Sequence, residues 1–260
     1  MDICKYTLKE IIEKDVAIIG YYGAPSKQEL IKASRKFPLA PFFDLDLFFD
    51  APQSDLLPES YCHIVRNCID NALAVAHQLL CIVASTGDEN CNAGRYIAHL
   101  LQTHLEAPVF FTRNNRGGNP LQPLLCEARG PLSERLSRVM ETIITPLAEQ
   151  ERNKAFLSKC EPTAGFWGTP PHPKSILDLF PPTTHIFGWT RCVEQNTPAD
   201  LTLEMTVPEN IPIVFFAQSG CPKTLLAKEL ARKHNGLFIS TDDGLSAAQF
   251  DAIKLFLKDA

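Results

Sequence analysis

The chain has 260 residues, 45% of them hydrophobic and 21% charged, with a formal net charge of -5. That length supports one large α/β domain or two smaller ones with sizeable cores. The acidic balance, with no basic run longer than two residues, argues against wrapping nucleic acid, and no stretch nears the roughly 20 apolar residues that a membrane span needs.

The opening ten residues lack the apolar stretch of a signal peptide, so a soluble, cytoplasmic protein is expected. Apolar runs alternate with helical patterns along the chain. This predicts an α/β protein of two Rossmann-like lobes with mostly parallel sheets, its site at the carboxyl ends of strands between the lobes. Residues 16–20 read as a strand, 27–36 as a helix and 41–49 as the next strand. A helix over 58–77 follows, with Pro58 and Glu59 suited to its first turn. Residues 79–85 form a buried strand, 94–106 a helix and 108–112 a strand.

The helical spacing of Leu132, Leu136, Val139, Met140, Ile143, Ile144 and Leu147 predicts a long core-facing helix over 131–156, kinked or divided at Pro146. The Pro- and Gly-rich stretch 160–182 reads as a linker or an ordered functional loop. Short strands are expected at 186–189 and 201–207. Strand 213–217, a helix to His234, strand 237–240 and a terminal helix over 246–257 complete the pattern. The expected division is an N-terminal lobe over 1–158, a linker over 159–182 and a C-terminal lobe over 183–260.

Nine cysteines are scattered at Cys4, Cys62, Cys68, Cys81, Cys91, Cys126, Cys160, Cys192 and Cys221. The odd number, the length and the large apolar content fit a disulfide scaffold poorly, and no Cys-x-x-Cys pair exists. Cys221 stands out. An apolar run from Ile211 ends in Gly220-Cys221-Pro222, and an amphipathic helix leaves from that corner, so the thiol lies near the positive end of a helix dipole, where a thiolate is stabilised.

Three turns that follow apolar segments face helix starts: 21–26, 85–94 and 218–224. In open parallel sheets, ligands sit beyond the carboxyl ends of strands, where such turns converge. The second turn carries Asp88, Glu89 and Cys91, and the third carries Ser219 and Cys221. With Cys62 near the start of its helix, Cys62, Cys91 and Cys221 are either a three-thiolate constellation or three unrelated small hydrophobes.

Residues 217–224 resemble a Walker A loop broken by Ala217 and Pro222, and the missing proline N–H argues against ATP binding. Arg113 and Arg116 lie in a polar loop that either grips a carboxylate or phosphate or is simply solvated. His63 and His185 read as structural. Phe166, Trp167 and His172 line an apolar pocket or pack a linker. Gly23-Ala24-Pro25 echoes Gly220-Cys221-Pro222, and each is followed by Arg-Lys and then a strand ending near aspartate (Asp44 and Asp46; Asp242 and Asp243). The echo reflects either a duplicated half or the general likeness of βαβ units.

Several segments together resemble the 2-hydroxyacyl-CoA dehydratase and benzoyl-CoA reductase family. Val16-Ala-Ile-Ile-Gly-Tyr-Tyr with Gln28-Glu29-Leu30-Ile-Lys-Ala33 is similar to the family's opening strand and helix. Tyr61-Cys62-His-Ile-Val-Arg66 looks like its first cysteine helix, and Ser85-Thr-Gly-Asp88, ahead of Pro108-Val-Phe-Phe111, like its Ser-Cys-Asp turn and next strand. Phe215-Phe-Ala-Gln-Ser-Gly-Cys221-Pro-Lys223 resembles its third cysteine turn, and Phe250-Asp-Ala-Ile-Lys-Leu-Phe256 its closing helix. The chain departs from the pattern at Gly87, which stands at the expected second cysteine and leaves Cys91 to compensate. It departs also at Lys27, and in lacking the aspartate of Cys-Asp-Pro.

The resemblance implies a 4Fe-4S iron–sulfur cluster held by Cys62, Cys91 and Cys221, with Cys160 and Cys192 in reserve. It implies low-potential electron transfer with reduction or dehydration of an acyl-thioester. The implied partners are a second subunit of the same family and an ATP-dependent activator. Arg113, Arg116 and Glu29 are the candidates for binding acyl-CoA or another small molecule. Two alternatives stand beside this reading: a cluster-free binding or accessory subunit, and a metal-free transferase using the strand-end crevice.

Overall fold

Continuous apolar runs become central strands where helices cover both faces of a parallel sheet. In the computed structural model, which describes all residues except 48–50, 58–60, 88–90, 115–120, 219, 242–244 and 259–260, this happens twice. One unit comprises Met1–Arg116 with Ile143–Thr145, and the other Gly117–Thr142 with Pro146–Ala260.

The first unit runs α1 (Leu8–Glu13), β1 (Ile18–Tyr22), α2 (Lys27–Lys36), β2 (Phe42–Asp44), α3 (His63–Ala74), β3 (Leu79–Ser85), α4 (Asn92–His104) and β4 (Val109–Thr112). Thr7 and Glu10 close a capping box at the start of α1, which satisfies amide groups the first turn would leave unpaired. The sheet order is β2-β1-β3-β4, with every pairing parallel. Ile11 of α1, Ile69 of α3 and Leu101 of α4 meet Ile18 and Ile82 of the sheet in one apolar core. Ahead of these elements, Ile3 bridges Phe42, with Cys4 N donating to Phe42 O at 2.7 Å and Phe42 N to Asp2 O at 2.8 Å.

The second unit opens with a 3-10 turn at Leu125–Glu127. It continues with α5 (Leu132–Glu141), α6 (Glu149–Leu157), β5 (Ala164–Gly168), β6 (Thr184–Phe187), α7 (Trp189–Glu194), α8 (Leu201–Met205), β7 (Ile213–Ala217), α9 (Pro222–Lys233), β8 (Leu237–Ser240) and α10 (Ala247–Lys258). Its sheet order is β6-β5-β7-β8, again all parallel. Counted within each unit, both sheets therefore have the order second-first-third-fourth. Phe166 stacks on Phe216 with ring centroids 5.2 Å apart, while Trp167 and Phe215 pack with Ala227 and Leu230 of α9. Each such fully buried aromatic contributes about 2–3 kcal/mol of burial free energy. The protein is thus an α/β protein with two four-stranded parallel sheets, consistent with two Rossmann-like lobes.

The expected boundaries need correction. The helical segment after residue 131 belongs to the second unit, divided around Pro146 into α5 and α6, and only Ile143–Thr145 returns to the first. The reason lies in buried Arg135 of α5. Its guanidinium donates to Gly130 O at 3.1 Å, Leu125 O at 3.1 Å and Thr184 O at 2.7 Å, tying α5 to the amino end of β6.

The presumed linker over 159–182 contains β5, a central strand with every residue buried. Its end bends through Gly168 at φ +129°, where a Cβ would lie 2.3 Å from Phe216 O, so the glycine that reads as a loop signal is required by packing. The expected strand over 201–207 is instead the short helix α8. Asp200 caps it, its side chain accepting from Leu203 N at 3.2 Å. The strand expected over 41–49 is limited to Phe42–Asp44 among the described residues, and the helix expected from Pro58 is described from His63.

The echoed turns are not equivalent by topology. Gly23-Ala24-Pro25 follows the first strand of its unit, whereas Gly220-Cys221-Pro222 follows the third. The counterpart of the Cys221 turn is the one after β3, which leads to Cys91. Asp242 and Asp243 lie outside the described residues.

Candidate functional site

In a parallel sheet whose first strand lies between the second and third, successive connections leave the first strand in opposite directions. The crevice beyond the carboxyl ends of the first and third strands is the favoured ligand position. Each unit has this arrangement, at β1/β3 and at β5/β7.

In the first unit the strand ends are tied to one another. Gly23, at φ +68°, turns the chain out of β1 and donates its N–H to Asp46 Oδ2 at 2.5 Å, while Asp46 N donates to Asp44 Oδ1 at 3.0 Å. Burial, and then the neighbouring Asp44 charge, hold the Asp46 carboxyl well above the usual carboxylate range. Tyr22 OH donates to Gly94 O at 2.6 Å, fixing the start of α4 against β1. Ser85 Oγ donates to Asn114 Oδ1, and Thr86 N to Thr112 O at 2.7 Å, joining the end of β3 to that of β4.

In the second unit, Thr190 Oγ1 donates to Gly168 O at 2.7 Å and Thr224 Oγ1 donates to Gln218 O. Lys223 in the first turn of α9 is engaged by the buried Glu204 carboxylate, Nζ to Oε1 being 2.5 Å. The Glu204 backbone carbonyl accepts from Trp167 Nε1 at 2.8 Å. The lysine of the Walker-like sequence is therefore held by a carboxylate of its own unit.

The three singled-out cysteines share one local geometry. Cys62 is the N-cap of α3, Cys91 of α4 and Cys221 of α9. Cys91 is exposed, and Cys62 and Cys221 are half-buried. A helix N-cap offers unpaired backbone N–H groups and the positive end of the dipole, an environment suited to anionic ligands and thiolates. Cys91 and Cys221 hold equivalent places, each capping the helix after the third strand of its unit.

The other thiols divide differently. Burial pushes Cys81 up to about 11 and Cys192 up to about 12, and raises Cys4, Cys68 and Cys126 as well. Cys68, Cys81, Cys126 and Cys192 are buried core thiols. Of the two reserve ligands, Cys192 belongs to this group. Cys160 is half-buried, its Sγ 3.8 Å from Glu127 O.

Among the described residues, no three His, Cys, Asp or Glu side chains are gathered in a way that could hold a metal ion. The donor chemistry of three N-cap thiols suits iron, but their convergence is not part of the described geometry. Cys62 and Cys91 belong to the first unit and Cys221 to the second.

Glu29 pairs with Lys32 at 2.6 Å on α2, and Arg113 is exposed just beyond β4. Arg116, Asp88, Glu89 and Ser219 lie outside the described residues. His185 is structural, its Nε2 2.8 Å from Cys160 O, and burial lowers its pKa. Phe166 and Trp167 are core residues of β5.

Sequence reasoning missed the Lys223–Glu204 pair and the buried Glu194 carboxylate. The latter accepts from Leu124 N at 3.1 Å, Leu125 N at 2.7 Å and Cys126 N at 2.9 Å. No helix among the described residues is long and apolar enough to cross a membrane. Comparison with protein-family models and with curated proteins gives no match for this chain.

Proposed function

We propose that the chain is a divergent iron–sulfur protein of the 2-hydroxyacyl-CoA dehydratase type, in which Cys62, Cys91 and Cys221 supply thiolate ligands. The observation that carries this reading is the shared setting of the three thiols. All cap helix N-termini, apart from the buried core thiols, and two of them occupy the same position in units of identical strand order. Such a cluster, when bound, supplies low-potential electrons for reduction or dehydration of an acyl-thioester. The protein's own contribution is to orient thiols by helix caps and to fix the turns at Cys91 and Cys221 through Tyr22 and Thr224. A second subunit of the same type and an ATP-dependent activator are the partners this reading calls for. Arg113 and Arg116 are its candidate grips for a CoA phosphate or carboxylate.

A second reading is a cluster-free binding or accessory subunit. It is favoured by Gly87 in place of a thiol. Anaerobic purification with iron, acid-labile sulfide and visible spectroscopy separates the two, beside a Cys221→Ser variant. Stoichiometric iron and sulfide, lost in the variant, support the cluster. A folded protein that stays iron-free after reconstitution overturns it and leaves the binding scaffold.

A further inference from the structure

We draw no further inference here: the strongest candidate, the Asp44–Asp46 carboxylate pair at the carboxyl end of β2 beside Gly23, is an acidic cluster held by its own turn, and nothing among the described residues points to a ligand for it.

Discussion

Replacing Gly168 with alanine tests whether the end of β5 is held by close packing. Gly168 has φ +129°, and an added Cβ would meet Phe216 O at 2.3 Å and Phe216 C at 3.3 Å. Those atoms are backbone of β7, a central strand fully buried along its length, so they cannot swing aside as a side chain would. Gly130 supplies the control within the same unit, since its φ is +151° but nothing lies within 4 Å of its built Cβ. Alanine at Gly130 therefore meets backbone strain alone, of order 1–3 kcal/mol. Alanine at Gly168 adds an overpacking cost of about 1–3 kcal/mol, for a total near 4 kcal/mol. Against a typical stability of about 5–15 kcal/mol, the larger loss is a substantial fraction of the whole. Urea denaturation followed by circular dichroism measures both variants. If Gly168→Ala proves no more costly than Gly130→Ala, the contact with β7 does not constrain the strand end and the reasoning fails.

Lys223→Met leaves the Glu204 carboxylate, whose side chain is 3% exposed, without its ammonium. The expected loss is about 2–3 kcal/mol, below the full cost for a buried pair because Lys223 is itself partly exposed, and adding Glu204→Gln should recover part of it. Equal stabilities of the single and double variants in urea would dismiss the pairing. Burial lowers the pKa of His185 below its ordinary 6.5, so its contribution to stability is present above that value and lost as pH falls through the folded-state pKa. Urea midpoints between about pH 7.5 and 5 should fall less steeply in His185→Gln than in the parent, and parallel slopes would refute this. In native alkylation read by mass spectrometry, Cys91 should react first, then Cys62 and Cys221, whereas Cys68, Cys81, Cys126 and Cys192 should react only on unfolding. Early labelling of the buried set would overturn that division.

The sequence was most legible where local pattern and tertiary setting agree. Leu79–Ser85 is an unbroken apolar run bounded by polar residues, and Lys27–Lys36 carries acid in its first turn and base in its last, so both elements stand where expected. The pattern misled at β5, because Gly165, Gly168 and the following prolines signal a loop while Phe166 and Trp167 are core. It misled again at α8, where five residues with alternating apolar positions fit a strand as well as a helix, and the Asp200 cap decided the outcome. Of the candidate site, the Cys221 turn was readable from its strand–Gly–Cys–Pro corner. Its equivalence to Cys91 was hidden because that thiol lies farther from its strand, six residues beyond Ser85 against four beyond Ala217. Partnerships such as Lys223 with Glu204 depend on tertiary placement and leave no local signal.

The pairing of Asp2–Cys4 with Phe42 bears on the edge of the first sheet. The flank of an outermost strand displays unsatisfied amide and carbonyl groups that invite strand addition from another molecule. At β2 the N–H and C=O of Phe42 are taken by Asp2 and Cys4. Residues 2–4 thus cover the Phe42 part of that edge. Without them, those two Phe42 groups would be open to strand addition.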